Sequence, residues 1–352
     1  MINKAIQIEE EAGKIVLSVL QRVPGIMDLR VELDRWMENY SADLLVSFRK
    51  QNDRKTLLVE VKSSGQPRLA RVAVNRLLLL QHKRPRDYGV FVAPYISESS
   101  AEICKSNGIG YIDFSGNCWL NLDSIYIEIK GNPNRFSRKS ELKSLFKPRA
   151  ERILRAMLSE PGYEWSAMEL AKSADVSIGQ VSNVRKLLLE REWIEDQKTG
   201  TKLIEPYQLL ASWLTEYRSD RSSIYGLYDM DSVGDIESTI SGFCKRTGTR
   251  YAFTGFSGAS RYAPFITYNT VAVYMNISQE NIRELPFKPV TSGANIRIIS
   301  PYDDGVFYGT RSIRDQSVVS PVQCYLDLKD EKARGEEASE ALLEQVIKPS
   351  WQ

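Results

Sequence analysis

Three side chains in the N-terminal third have the types and spacing of a site that handles phosphate. Asp43 opens one strand-like run, "SADLLVSF", and Glu60 and Lys62 lie late in the next, "TLLVEVKSS". Because side chains alternate along a strand, Glu60 and Lys62 point to the same face. The polar stretch between the two runs predicts a hairpin, and a hairpin brings Asp43 close to both.

Two carboxylates at that range can bind Mg²⁺, which prefers oxygen ligands, so Asp43 and Glu60 are the candidate metal ligands. The ion would polarise a phosphodiester and lower the pKa of an attacking water. Lys62 would stabilise the charge that builds on the phosphate or orient the water. A plain surface pair of Glu60 and Lys62 is the alternative, and such a pair contributes only about 0–1 kcal/mol.

The elements around these residues predict a mixed α/β domain over residues 1–132. An amphipathic helix over residues 6–21 precedes the hairpin, and a helix from about Pro67 to His82 follows it. A buried strand, "YGVFVAPY", a capped helix, "SESSAEICKSNG", and closing strands complete the domain. The sequence therefore predicts that a sheet and its helices hold the three candidate side chains.

This order of elements resembles the PD-(D/E)XK nuclease superfamily. The matching residues are Asp43 and the triplet Glu60-Val61-Lys62, and "GIGYIDFSGN" is similar to a late strand-and-loop feature of restriction-endonuclease-like domains. The resemblance implies a restriction-endonuclease-like fold and Mg²⁺-dependent hydrolysis with Asp43, Glu60 and Lys62 as catalytic residues. Folds of this kind also persist as DNA-binding or scaffolding modules without catalysis, so both outcomes stay open.

The helix after the hairpin is strongly basic. From Lys62 to Arg86 the chain has seven Lys or Arg and no acidic residue. Arg71 and Arg76 lie at helical spacing beside the proposed site, and a run of one sign there is the expected electrostatic footprint of nucleic acid. The alternative is a solvated helix face.

Residues 133–148 predict a basic linker, and residues 149–206 predict a winged helix-turn-helix domain. The stretch "KGNPNRFSRKSELKSLFKPR" carries seven Lys or Arg against one Glu. Three helix-like segments follow it, and then a strand, a turn containing glycine and a second strand. This order is typical of a winged helix-turn-helix.

The third helix of this segment carries the predicted DNA-binding face. Its apolar positions Val181, Val184, Leu187 and Leu188 point inward, and its outward positions are Ser177, Gln180, Ser182, Asn183, Arg185 and Lys186. Short polar and amide side chains can read base edges, whereas Arg and Lys hold phosphates. Lys198 and Lys202 on the wing are further phosphate contacts. The segment is barely cationic, with ten basic against nine acidic residues from Lys147 to Lys202, so a protein-interaction module is the alternative.

Residues 207–352 predict a third, α/β domain. "RYAFTGF", "TVAVYMNI", "ANIRIISP" and "GVFYGT" are strand-like, and "RGEEASEALLEQVI" predicts a C-terminal helix. "TGFSGAS" is interpreted as a tight turn from a strand into a helix or, alternatively, as a cradle for an anion.

The C-terminal third resembles the AbiEi family of antitoxins and transcriptional regulators of type IV toxin–antitoxin systems. The matching residues are Thr254, Gly255, Ser257, Ala259, Ser320-Pro321, Tyr325-Leu326-Asp327-Leu328 and Gly335-Glu336-Glu337-Ala338. The resemblance implies repression of the protein's own operon and a toxin that is similar to a nucleotidyltransferase. The long domain in front departs from a minimal antitoxin.

The bulk composition excludes several classes of protein. The 352 residues carry a net charge of +2, four widely spaced cysteines and one histidine, His82. These features argue against a disulfide framework, most zinc sites and a Ser-His-Asp triad. With no apolar run long enough for a bilayer, the sequence predicts a cytoplasmic protein without a membrane partner.

The sequence as a whole predicts a DNA-binding transcriptional regulator of α/β multidomain architecture. Double-stranded DNA is the expected partner, no cofactor is required to bind it, and a homodimer on a palindrome is compatible with this binding mode. The alternative is a Mg²⁺-dependent endonuclease that the winged helix targets to DNA.

Overall fold

The computed structural model describes residues 2–33, 41–51, 53–135, 145–263, 268–277, 279–329, 331 and 334–351. The chain divides into two compact units, one of Met1–Leu142 with Leu189–Glu192 and one of Lys143–Leu188 with Trp193–Gln352. Most of the predicted basic linker, residues 136–144, lies outside the described residues. Within the described ranges, no helix is both long and apolar enough to cross a membrane.

The first unit has the mixed α/β architecture that the sequence predicts. Its elements are α1 (Ile2–Leu20), β1 (Ile26–Leu33), β2 (Leu44–Lys50), β3 (Asp53–Val61), α2 (Pro67–Lys83), β4 (Tyr88–Ala93), α3 (Glu98–Ser106), β5 (Gly110–Asp113), β6 (Cys118–Leu122) and β7 (Ile125–Ile129). The seven strands form one sheet in chain order. The predicted hairpin is confirmed, because β2 and β3 are antiparallel with Leu44 opposite Val59.

The two faces of this sheet pack against different helices. On one face Val59 and Val61 of β3 share a hydrophobic core with Val16 of α1. On the other face Leu58 shares a core with Leu77 of α2. Because alternate side chains point to opposite faces, Glu60 is directed to the side of the sheet that α2 covers.

The second unit begins with three helices and a two-stranded antiparallel sheet, which we call the three-helix segment (residues 148–203, of which Leu189–Glu192 are grouped with the first unit). Its elements are α4 (Pro148–Ser159), α5 (Ala167–Ser173), α6 (Ile178–Glu190), β8 (Ile194–Asp196) and β9 (Thr201–Leu203). This order confirms the predicted secondary structure. Ser166 and Glu169 form a reciprocal capping box at the start of α5. Three of the four predicted inward positions of α6 are fully buried, namely Val181, Val184 and Leu188.

The rest of the second unit is a seven-stranded sheet with helices. The elements are α7 (Pro206–Glu216), β10 (Ser223–Tyr228), α8 (Val233–Thr247), β11 (Tyr251–Thr254), α9 (Gly255–Tyr262), β12 (Val271–Met275), α10 (Gln279–Ile282), β13 (Lys288–Pro289), β14 (Ile296–Ser300), β15 (Arg311–Ile313), β16 (Gln316–Val318), α11 (Pro321–Leu328) and α12 (Gly335–Leu342). The strand order is β13-β10-β14-β12-β11-β16-β15. The predicted α/β character of this region is confirmed.

Two local predictions in this region have opposite outcomes. The strand-to-helix turn at "TGFSGAS" is confirmed, because α9 follows β11 directly through Gly255, whose φ of +55° favours glycine. The strand predicted at "GVFYGT" is wrong, because Asp304–Phe307 form a short 3₁₀ turn. Asp303 caps this turn by accepting from the N–H of Gly305 at 2.7 Å. This local cap stabilises the turn in place of an extended strand.

Candidate functional sites

Asp43 is fixed beside β3, as the predicted hairpin requires. Its backbone N–H donates to the carbonyl of Val59 at 3.0 Å, and its Oδ2 accepts from the backbone N–H of Val61 at 2.7 Å. The carboxylate of Asp43 therefore lies across from the strand segment that carries Glu60 and Lys62.

Glu60 is completely buried at the end of β3 and is held by two cations. Its Oε1 accepts hydrogen bonds from Lys62 Nζ and, at 3.0 Å, from Arg76 Nη1, whereas its Oε2 has no hydrogen-bond partner among the described residues. Burial raises the pKa of Glu60 above its usual range, the charge of Asp43 raises it further, and Lys62 opposes the shift. The predicted pairing of Glu60 and Lys62 on one face is thus present, and one carboxylate oxygen is left for another partner.

A third carboxylate, Glu9, approaches from α1. Burial raises its pKa, the nearby charge of Asp43 raises it further, and Lys62 opposes the shift. Glu9 therefore lies within electrostatic range of Asp43 and Lys62. The run Glu9-Glu10-Glu11 on an amphipathic helix was the sequence signal for this residue, but nothing in the run distinguishes Glu9 from its neighbours.

The donor set suits a hard cation only in part. Carboxylate oxygens are the ligands that Mg²⁺ prefers, and the unpartnered Oε2 of Glu60 is a buried oxygen of the required kind. The described residues contain no group of three or more His, Cys, Asp or Glu side chains arranged to hold a metal ion. Asp43 and Glu60 as a pair of metal ligands stay a prediction, and the remaining ligands would have to come from water or substrate.

The two arginines predicted to contact DNA from α2 have different environments. Arg76 donates to Glu60 and, through Nη2, to the carbonyl of Ser41 at 2.7 Å, so it supports the acidic site. Arg71 is exposed and forms an ion pair with Glu192 at 2.9 Å within the same unit. Of the two, Arg71 has the more exposed side chain, with 57% of it accessible against 40% for Arg76.

The outward face of α6 carries the polar side chains that the sequence predicts. Ser182, Asn183 and Lys186 are exposed, and Gln180 is half-buried. Ser177 is exposed too, and its Oγ caps α6 by accepting from the N–H of Gln180 at 3.2 Å. The hydroxyl of Ser182, the amide of Asn183 and the ammonium of Lys186 thus lie on one exposed helix face. Groups of these kinds contact bases and phosphates.

The hairpin β8–β9 lies beside this face and supplies the remaining predicted residues. Arg185 of α6 forms an ion pair with Asp196 of β8 at 2.8 Å, so the hairpin is tied to the helix. Lys198 in the hairpin turn is exposed, and Lys202 on β9 is half-buried opposite Glu195. The structure thus gathers the predicted residues of α6 and the hairpin in one segment.

A buried polar network within the second unit joins the three-helix segment to the C-terminal sheet and its helices. Arg155 of α4 is 1% exposed, donates to Gln323 Oε1 at 3.0 and 2.7 Å, and stacks 4.9 Å from the ring of Trp213. Glu151, one turn earlier and fully buried, pairs with Arg221 at 2.7 Å. A guanidinium and a carboxylate that are both excluded from water require such partners.

The network continues to Asp327 on α11. The carboxylate of Asp327 accepts hydrogen bonds from Tyr217, Tyr274, Thr254 and Gln323 at distances between 2.5 and 3.0 Å. Burial raises the pKa of Asp327 above its usual range, and these donors oppose the shift. Periodicity did not indicate this network, because its members lie on separate helices, strands and loops.

Comparison with known proteins connects this region to a family. Residues 202–348 match the family model described as transcriptional regulator, AbiEi antitoxin, type IV TA system. The C-terminal region is AbiEi-like. The AbiEi-matching range contains every residue that carried the resemblance, from Thr254 to Ala338, so that resemblance is confirmed. The match does not reach the first unit, and the resemblance of that unit to nucleases stays a prediction.

No curated protein matches the chain. One solved structure, titled as the crystal structure of protein of unknown function AF1548, is 14% identical, with a TM-score of 0.24, over 52% of this chain and 98% of its own. At that TM-score the likeness supports no conclusion about fold or function.

Proposed function

We propose that the protein is a sequence-specific DNA-binding transcriptional regulator of the AbiEi antitoxin type. The exposed polar face of α6, which lies beside a basic hairpin turn in the same compact unit as the AbiEi-matching region, is the observation that carries the proposal. In this proposal the three-helix segment is a winged helix-turn-helix, α6 is its recognition helix and the β8–β9 hairpin is its wing.

The proposed contacts divide into two classes. Gln180, Ser182 and Asn183 reach base edges, since amide and hydroxyl groups can match the donor and acceptor pattern of the major groove. Lys186, Lys198 and Lys202 hold phosphates and set the register of the protein on the duplex. Arg185 keeps its ion pair with Asp196 and orients the hairpin, or exchanges that pair for a phosphate on binding.

The regulator acts on the promoter of its own operon, and its functional counterpart is a toxin that is similar to a nucleotidyltransferase. A homodimer that binds two half-sites of a palindrome suits a helix in the major groove. The first unit adds phosphate contacts through α2, where Arg71 is the more exposed arginine.

Replacing Asn183 by alanine is expected to weaken binding to DNA from upstream of the gene by about 1–3 kcal/mol and to leave binding to unrelated DNA unchanged. The side chain is exposed, so the loss comes from base contacts rather than from folding. Gel retardation with both DNAs measures the two affinities. Equal losses on both DNAs would contradict base readout by this helix.

Replacing Lys186 by alanine is expected to weaken binding to both DNAs and to reduce the slope of log affinity against log salt by about one. Lys245→Ala, at an exposed position on α8, removes the same charge away from the proposed face and serves as the matched control. A salt dependence that is identical in the two variants would rule out a phosphate contact at Lys186.

A second candidate function is a Mg²⁺-dependent endonuclease in the first unit, which would have a restriction-endonuclease-like fold. The gathering of Asp43, Glu60 and Lys62 at the end of β3 favours it. A bound Mg²⁺ would supply Lewis-acid activation of the phosphodiester. Lys62 would stabilise the developing charge on the phosphate, and Arg76 would hold Glu60 in place.

Lys62→Ala separates the two functions. If the first unit cuts DNA, the variant is expected to lose Mg²⁺-dependent cleavage and to keep retardation of the upstream DNA. Lys14→Ala, at an exposed position on α1, is the matched control and should cut as the wild type does. Intact DNA after incubation of the wild-type protein with Mg²⁺ would exclude the endonuclease and leave the regulator.

A further inference from the structure

A cavity of about 240 Å³, partly open to solvent, lies between the helices and the hairpin of the three-helix segment. Its apolar wall comes from α4, α5, α6 and β8 and consists of Ile153, Met157, Leu170, Val181, Val184 and Ile194. An apolar cavity of roughly 150 Å³ already accepts benzene. The space here therefore suits a single aromatic ring with a small substituent.

Trp165 lines this cavity and carries a buried donor without a partner. The residue is 8% exposed, and its indole Nε1 has no hydrogen-bond acceptor among the described residues. Its backbone is fixed by two hydrogen bonds with Thr201, at 2.9 and 2.8 Å. Since a buried N–H is normally paired, a ligand that carries an acceptor would supply the missing partner.

The charges around the cavity indicate which acceptor is favoured. The side chains that line it include two cations, Arg185 and Lys198, and no acidic residue. Asp196 offsets Arg185 through their ion pair, whereas Lys198 forms no ion pair among the described residues. Negative charge on the ligand is therefore stabilised at this end of the cavity.

We propose that this cavity binds a monocyclic aromatic carboxylate. The ring contacts the apolar wall, and the carboxylate accepts from Trp165 Nε1 and lies toward Lys198. The site goes beyond DNA recognition, and it does not depend on the proposed function because binding is measured without DNA. Its place between α6 and the hairpin puts the ligand in contact with both elements of the proposed DNA face.

The test is calorimetric titration of the full-length protein with benzoate, and with benzyl alcohol as the neutral probe. The wild type is expected to bind benzoate more tightly than benzyl alcohol. Trp165→Phe keeps an aromatic ring but removes the N–H, and Val184→Ile adds a methylene to the wall. Each variant is expected to bind benzoate at least about tenfold more weakly than the wild type. Trp165→Phe loses a hydrogen bond to a charged group, and Val184→Ile loses space for the ring.

Trp213→Phe is the matched control. The indole Nε1 of Trp213 is also buried without a partner, but this residue does not line the cavity, so its variant should bind benzoate as the wild type does. The proposal is overturned if the wild type gives no heat of binding with benzoate, or if Trp165→Phe and Val184→Ile both bind as tightly as Trp213→Phe. Val184→Ile decides the result alone if Trp165→Phe does not fold.

Discussion

Replacing Arg155 by methionine is expected to destabilise the second unit by about 3–5 kcal/mol, the range for breaking a buried ion pair by removing one partner. Methionine fills a similar volume, so the loss comes from polar contacts rather than from a void. Gln323 Oε1 loses two hydrogen bonds, and the fully buried Glu151 loses the guanidinium 3.6 Å away. Urea titration of tryptophan fluorescence measures the loss, since four of the six tryptophans belong to this unit.

Arg149→Met is the matched control for this prediction. It makes the same substitution at an exposed position of the same helix, and it should change the free energy of unfolding by less than about 0.5 kcal/mol. Adding Glu151→Gln to Arg155→Met is expected to lower the stability further, because Glu151 keeps its ion pair with Arg221 and its hydrogen bond from Tyr302 in the single variant and the second change removes that pair. Equal midpoints for the Arg149 and Arg155 variants would mean that the network contributes nothing to stability.

Replacing Gly65 by alanine is expected to destabilise the first unit by about 3 kcal/mol, the upper end of the usual range for overpacking. A Cβ at this position would lie 2.1 Å from the carbonyl oxygen of Tyr95 and 2.8 Å from Cα of Ile96. Both are backbone atoms, and Asp113 fixes this loop by accepting from the N–H of Ile96 at 3.3 Å. The chain after β3 must therefore move away from the loop after β4.

The measurement is thermal unfolding followed by far-UV circular dichroism. Gly162→Ala is the control, because a Cβ there meets no atom within 4 Å and the backbone has no positive φ. That variant should match the wild type or gain slightly, since alanine restricts the unfolded chain. If Gly65→Ala unfolds at the same temperature as Gly162→Ala, the close approach of the two loops is not a constraint on folding.

Strand alternation and helix periodicity predicted the parts of the fold that depend on local pattern. They placed Glu60 and Lys62 on one face, and they identified the buried residues of α6, because both results follow from the geometry of a single element. Strand β1 was missed. Asp28 there has a φ of 54°, and the register with β2 shifts between Met27 and Arg30, so the alternation is interrupted.

Partnerships between distant residues could not be predicted in this way. Arg76 has the spacing of an exposed cation on a basic helix, yet it binds the carboxylate of Glu60. Glu151 and Arg155 have the i, i+4 spacing of a surface ion pair, yet both are buried. Whether a charged side chain faces water depends on which element covers it. For Arg155, that element carries Gln323, which lies 168 positions further along the chain.

The polar network at Arg155 also bears on how such proteins are assembled in evolution. The stretch that matches the AbiEi model begins at residue 202, after α4 has ended. If this stretch were transferred to another chain by itself, Tyr302, Asp303 and Gln323 would lose their arginine partners. Recombination breakpoints that fall before α4 keep the partners together, so genes that exchange the C-terminal region are expected to carry α4 with it.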